Sequence, residues 1–181
     1  MKFSLPNEKT ENYLENFKPF QANVVAVSAG GFQSGFSEAF LALLDGGAKN
    51  TCISSGRMKR IMQRVRGKDG KPLQSVGKIK VKGVIGKEQD ALIYIIPHFY
   101  LGNIHFEDLA VTVINTNNFD CLIGRSVLHQ CISTYDPLTD MMHFDFDPRL
   151  QQNKQTVLGH ATFGKVHLFT QSDAKFVPEI D

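Results

Sequence analysis

The chain has 181 residues, a formal net charge of +2, 42% hydrophobic and 21% charged residues. That length suits one domain with a sizeable core, and the near-neutral balance gives no strong electrostatic commitment to nucleic acid or to a membrane surface. Cys52, Cys121 and Cys131 are odd in number and form no Cys-x-x-Cys pair, which argues against a disulfide framework or zinc ribbon and for a reducing compartment.

Fifteen glycines, fourteen phenylalanines and no tryptophan fit a β-rich chain with many turns. The segment Met1 to Glu8 lacks the apolar core of a signal peptide, and no apolar run approaches the length of a membrane span. A cytoplasmic protein with no membrane partner is the expectation.

Residues 1–19 are polar and charged, with Pro6 and Pro19, and read as an N-terminal arm or short helix. Val24-Val25-Ala26-Val27 reads as a strand. Ala29 to Gly35 is a turn whose glycines lack the lysine and following helix of a phosphate loop. Phe36 to Leu44 returns as a strand. Its last residues, Leu41-Ala42-Leu43-Leu44, are apolar without strict alternation, the pattern of a strand buried on both faces. It delivers Asp45, followed by Gly46, Gly47 and Ala48. Glycines there permit a tight turn and the close approach of another chain or a substrate. The same residues also describe an ordinary turn.

Met58, Ile61, Met62 and Val65 fall at helical spacing, with Arg57, Lys59, Arg60 and Arg64 on the remaining positions. Those bases read either as a solvated face or as a surface for nucleic acid or an acidic partner, although no aromatic residues interleave them. Ile79 and Val81 alternate with Lys78, Lys80 and Lys82 in a half-exposed strand. Gly83 to Glu88 is a glycine-flanked apex, and Ala91 to Ile96 a buried return strand. A turn at Leu101-Gly102-Asn103 precedes a strand from Phe106 to Ile114. Leu122-Ile123-Gly124-Arg125 then opens a short helical stretch. Ile132 to Tyr135 and Met141 to Phe146 form a final hairpin, and the tail suggests an extra hairpin around Gly164-Lys165. Histidines 98, 105, 129, 143, 160 and 167 share no metal-ligand spacing and read as ordinary surface or core residues. The acids Asp120, Asp136, Asp140, Asp145 and Asp147 read as turn and edge residues.

Asp45-Gly46-Gly47-Ala48, with its apolar lead, resembles the first active-site signature of the retroviral-type aspartic proteases (retropepsins), Asp-Thr-Gly-Ala or Asp-Ser-Gly-Ala. Leu122-Ile123-Gly124-Arg125 resembles the second signature. The glycine-bounded hairpin at 83–91 falls between them, where the family has its flap. The resemblance spans about residues 20–147. It implies a mainly β fold, a retropepsin-like closed barrel (acid protease fold) with one or two short helices. It divides the chain into an arm over 1–19, a protease domain over 20–147 and a C-terminal extension over 148–181.

For Asp45 the resemblance implies the catalytic role, in a dyad completed by the same residue of a second copy in a homodimer. For Gly47, Ala48, Lys49, Asn50 and the flap residues Val84, Ile85 and Gly86 it implies contacts to an extended peptide. Gly46, Leu122, Ile123, Gly124 and Arg125 would support the site structurally. No metal, organic cofactor or nucleic-acid partner is expected.

Two positions depart from the family pattern. Gly46 replaces the hydroxyl residue that hydrogen-bonds across the dimer, and Lys49 stands where retroviral members usually place an acid that pairs with the later arginine. The alternative is therefore a catalytically weak or inactive module of the same fold that binds an extended peptide or dimerises. A basic-helix nucleic-acid binder is a third reading.

Overall fold

The strands are made where β-branched and aromatic residues cluster, and they end at glycine, proline and asparagine turns. In the computed structural model, which describes residues 2–8, 23–30, 37–82, 88–129, 131–146 and the backbone of 165–168, they run in this order: β1 Lys2–Pro6, β2 Val24–Gly30, β3 Ser37–Leu44, β4 Cys52–Ser54, α1 Ser55–Arg64, β5 Ser75–Lys82, β6 Glu88–Leu101, β7 Ile104–Ile114, β8 Cys121–Ile123, α2 Arg125–Leu128, β9 Cys131–Asp136, β10 Met141–Phe146 and β11 Lys165–Leu168. The described residues are mainly β with two short helices. No helix among the described residues is long and apolar enough to cross a membrane.

Six strands close on themselves. β3 pairs antiparallel with β2, β2 with β6 and β6 with β7. β7 pairs parallel with β4, β4 antiparallel with β8, and β8 parallel with β3, which completes the ring. The barrel is filled by inward residues such as Val25, Val27, Phe40, Ile53, Ile96, Phe99, Ile104, Phe106, Leu109 and Val111, all nearly or fully buried. The β6–β7 turn needs Gly102: its φ of +52° lies in the left-handed region, and a Cβ there would overlap the Phe3 ring.

β1, β10 and β9 make a separate three-stranded sheet. Its inner face stacks Phe3 on Phe144 at 5.2 Å, and Phe146 meets Phe106 of the barrel edge-on at 6.4 Å. The N-terminal residues expected as an arm or short helix thus include a strand over Lys2–Pro6, paired along β10. Near the C-terminus, β11 pairs antiparallel with β7; the expected partner strand at 161–163 lies outside the described residues.

Ser54 caps α1 by accepting the Arg57 amide at 3.1 Å. The stripe read from the sequence is the buried one: Met58, Ile61 and Val65 are all covered, each contributing on the order of 2 kcal/mol by leaving water. Beyond the helix, β5 and the first residues of β6 form a hairpin, with Lys82 opposite Glu88. β5 is mostly exposed along its length, and β6 joins β7 only from Leu92 onward, so the outer part of this hairpin stands clear of the barrel.

Candidate active site

β3 ends the barrel wall at Leu44, and the next six residues form the loop that carries Asp45 to Asn50. Asp45 is half-buried, while Gly46, Gly47 and Lys49 are exposed. One carboxylate oxygen, Oδ1, accepts the Gly47 amide at 2.8 Å and the Ala48 amide at 3.3 Å, so the loop folds back on its own acid. A Cβ on Gly47 would lie 3.1 Å from that oxygen, a tight approach, whereas one on Gly46 would meet nothing within 4 Å among the described residues.

The second motif sits directly against this loop. The Asp45 amide donates to the Ile123 carbonyl at 3.0 Å, continuing the parallel β3–β8 pairing in which Leu43 faces Leu122 and Leu44 faces Ile123. In return, the Arg125 amide donates to the Ala48 carbonyl at 2.8 Å and the Ser126 amide to the Lys49 carbonyl at 3.1 Å. Two orphan amides at the start of α2 are thereby satisfied by the Asp45 loop. Gly124 is the contact point: a Cβ there would overlap the Asn50 carbonyl group and come within 3.0 Å of the Ala48 oxygen. The two motifs, almost eighty residues apart in sequence, are one hydrogen-bonded unit.

Thr51 and Ser126 hold that unit together, and sequence reasoning passed over both. Thr51 is fully buried. Its hydroxyl accepts the Gly124 amide at 3.3 Å and lies 3.1 Å from Ser126 Oγ, which also accepts the Thr51 amide at 3.3 Å. The available signal was a hydroxyl residue at the start of a buried strand matched by another just past the Gly-Arg pair.

Arg125, expected to need a new partner, is exposed and makes no ion pair among the described residues. Asp120, which precedes it in the chain, is held by Arg57. Arg57 Nη2 lies 2.6 Å from Asp120 and Nη1 2.8 Å from Glu38, with the guanidinium over the Phe40 ring at 5.6 Å. One member of the predicted basic face is therefore a largely buried cross-link between β3, α1 and the loop before β8. Lys59 and Arg60 are exposed, as read.

Comparison with solved structures returns a retropepsin-like aspartic protease from Rickettsia conorii, with a TM-score of 0.48 and 10% sequence identity, covering 81% of this chain and 91% of that one. No protein-family model matches the chain, and no curated protein matches it in sequence.

Cys52, beside the loop, is poorly suited to act as a nucleophile. Burial first, and the Asp45 carboxylate second, push its thiol up to about 11, so the thiolate is scarce at neutral pH. Asn50 Oδ1 is buried with no hydrogen-bond partner among the described residues. The flap residues Val84, Ile85 and Gly86 lie outside the described residues. Of the rest, Asp45 to Asn50 and Leu122 to Arg125 are brought together in one place.

Proposed function

We propose that this chain is an aspartic endopeptidase of the retropepsin type that works as a homodimer. The observation that supports it best is the docking of the Asp45 loop on the start of α2, through the Arg125–Ala48 and Ser126–Lys49 hydrogen bonds, at one end of a closed six-stranded barrel. That arrangement presents a half-buried carboxylate on a braced turn, flanked by exposed glycines that let substrate backbone come close.

A single carboxylate is insufficient for the reaction. Peptide hydrolysis of this kind needs one acid to take a proton from water while another gives one to the carbonyl oxygen or leaving amine. The second Asp45 comes from the second subunit, on the two-fold axis. At roughly 3 Å and an effective dielectric of about 20, two carboxylates repel by on the order of 5 kcal/mol, so the pair keeps one proton. The hairpin of β5 and β6, standing clear of the barrel, is the flap that closes over an extended peptide.

The test is Asp45→Asn. Cleavage of a mixed peptide library disappears, while circular dichroism and sedimentation show an unchanged fold and dimer. Full cleavage by that variant removes the proposal. Gly46 favours a second reading, a catalytically weak or inactive peptide-binding module, and no cleavage by either the natural chain or a Gly46→Thr variant is the result that selects it.

A further inference from the structure

We propose a catalytic centre separate from the Asp45 loop: Ser4, His143 and Asp136, on the outer face of the three-stranded sheet, hydrolyse small acyl esters through an acyl-Ser4 intermediate. It uses none of the residues of the proposed protease site and does not rest on that reading.

Strand register puts the three side chains on one face. Ser4 on β1 lies directly opposite His143 on β10, and His143 opposite Thr134 on β9, with Asp136 two residues further along β9. Phe144 and Phe146 are buried, so the alternate residues His143 and Asp145 face outward. The Asn7 amide donates to the Asp140 carbonyl on the β10 side, whereas the Glu8 amide donates to the Val24 carbonyl on the other. The same alternation along β1 makes Ser4 and His143 a non-hydrogen-bonded pair, in which facing side chains come closest. It also turns the Ser4 amide to the outer edge of β1, which pairs with no strand among the described residues.

The contacts are those of an activated serine. Ser4 Oγ lies 2.6 Å from His143 Nδ1. For Nδ1 to accept that hydroxyl, the ring hydrogen sits on Nε2, which faces Asp136 Oδ2 at 3.6 Å. Asp136 is itself oriented, by the Thr139 hydroxyl at 2.8 Å and the Leu138 amide at 2.9 Å. Those two bonds hold its carboxyl below the usual carboxylate range, so it remains an anion beside the ring. Nucleophile, base and orienting acid thus stand in series. The ring nitrogens are exchanged relative to the usual serine triad, yet each keeps its task, a bare nitrogen at the hydroxyl and an N–H at the carboxylate. The 3.6 Å gap exceeds a hydrogen bond and closes when the ring becomes charged.

An open cleft of about 410 Å³ includes Ser4 and His143 in its lining. Ile132, 71% exposed, offers an apolar wall for the acyl group. Lys2, its ammonium 3.8 Å from Asp145, brings positive charge to the same cleft. The outward Ser4 amide is the donor available to the oxyanion. Ser4 Oγ attacks the ester carbonyl carbon as its proton passes to His143 Nδ1. The bond to the alcohol oxygen breaks, and the alcohol leaves with that proton. Water then attacks the acyl carbon by the same route, its proton passing through Nδ1 to Ser4 Oγ, and the carboxylic acid is released.

The experiment uses the full chain with p-nitrophenyl acetate and, separately, with a fluorophosphonate. Nitrophenol appears in a burst followed by steady turnover, and peptide mass spectrometry finds one phosphonyl group on Ser4 of the folded chain. Ser4→Ala removes both, and His143→Gln slows acylation at least about hundredfold. Asp136 acts through His143 and is a positioning residue: Asp136→Asn lowers kcat about tenfold at an unchanged KM. Ser133→Ala, on the same sheet, leaves the rate unchanged. No adduct on Ser4 in the folded chain, or turnover that survives Ser4→Ala, overturns the proposal.

Discussion

Thr51 Oγ1 lies 3.1 Å from Ser126 Oγ, and the same Thr51 oxygen accepts the amide of Gly124 at 3.3 Å. Through this contact the strand that follows the Asp45 loop is tied to the first turn of α2, so the loop cannot move without the helix. Thr51→Val keeps the volume but leaves the Gly124 amide unpaired in a buried place, which costs about 1–3 kcal/mol. For a chain of this size that is roughly 2–4 °C in Tm for each kcal/mol. Thr51→Ser retains most of the stability. Equal melting temperatures for the valine variant and the natural chain would show that the bracket is ornamental.

The space at Gly46 predicts a tolerated substitution beside a forbidden one. Among the described residues nothing lies within 4 Å of a Cβ at Gly46, whereas a Cβ at Gly124 overlaps the Asn50 carbonyl. Gly46→Thr leaves subunit stability within about 0.5 kcal/mol. If the protease reading holds, it also tightens the dimer and raises turnover by restoring a hydroxyl at the two-fold axis. Gly124→Ala lowers stability and detaches the Asp45 loop. Thermal melts and sedimentation of the two variants separate these outcomes, and a strongly destabilised Gly46→Thr contradicts the geometry.

Arg57 bridges Glu38 and Asp120 from a position where it and Glu38 are nearly excluded from water. Removing the cation takes the closer guanidinium from Glu38, which keeps the exposed Arg64 at 3.3 Å, so Arg57→Leu costs about 1–3 kcal/mol in urea unfolding. Arg57→Lys does not rescue it, because an ammonium cannot reach both acids in the planar geometry of the guanidinium. A loss below about 1 kcal/mol would mean the pair is solvated in practice. Any test of nucleic-acid binding by α1 belongs at Lys59 and Arg60, since Arg57 is already engaged.

Cys52 reports on Asp45. Its thiol is raised from an ordinary 9.0 to about 11, by burial and then by the Asp45 carboxylate. The unfolded chain therefore releases this proton first as pH rises. The stability associated with the neutral thiol is whole below pH 9 and is lost as pH rises toward 11. Iodoacetamide labels Cys52 slowly at pH 8 in the native chain and quickly in urea. Asp45→Asn speeds native labelling by removing the second cause. Unchanged labelling in that variant separates the two side chains electrostatically.

Local pattern was enough to read most of the strands, the α1 stripe and the turn at Gly102, because each depends on neighbours within a few residues. Periodicity placed Met58, Ile61 and Val65 inward, and glycine marked the turns. The pairing of the Asp45 and Gly124 motifs was legible only as two resemblances in order; their contact depends on a parallel β3–β8 pairing that no local signal specifies. Arg57 was misread for the same reason. A charged residue on a helix looks solvated until the fold brings Glu38 and Asp120 to it from 19 and 63 residues away. His98 and His105 show no ligand spacing along the chain, yet strand register brings their rings together. What a residue is next to along the chain sets its backbone; what it meets across the barrel sets its charge, its burial and its chemistry.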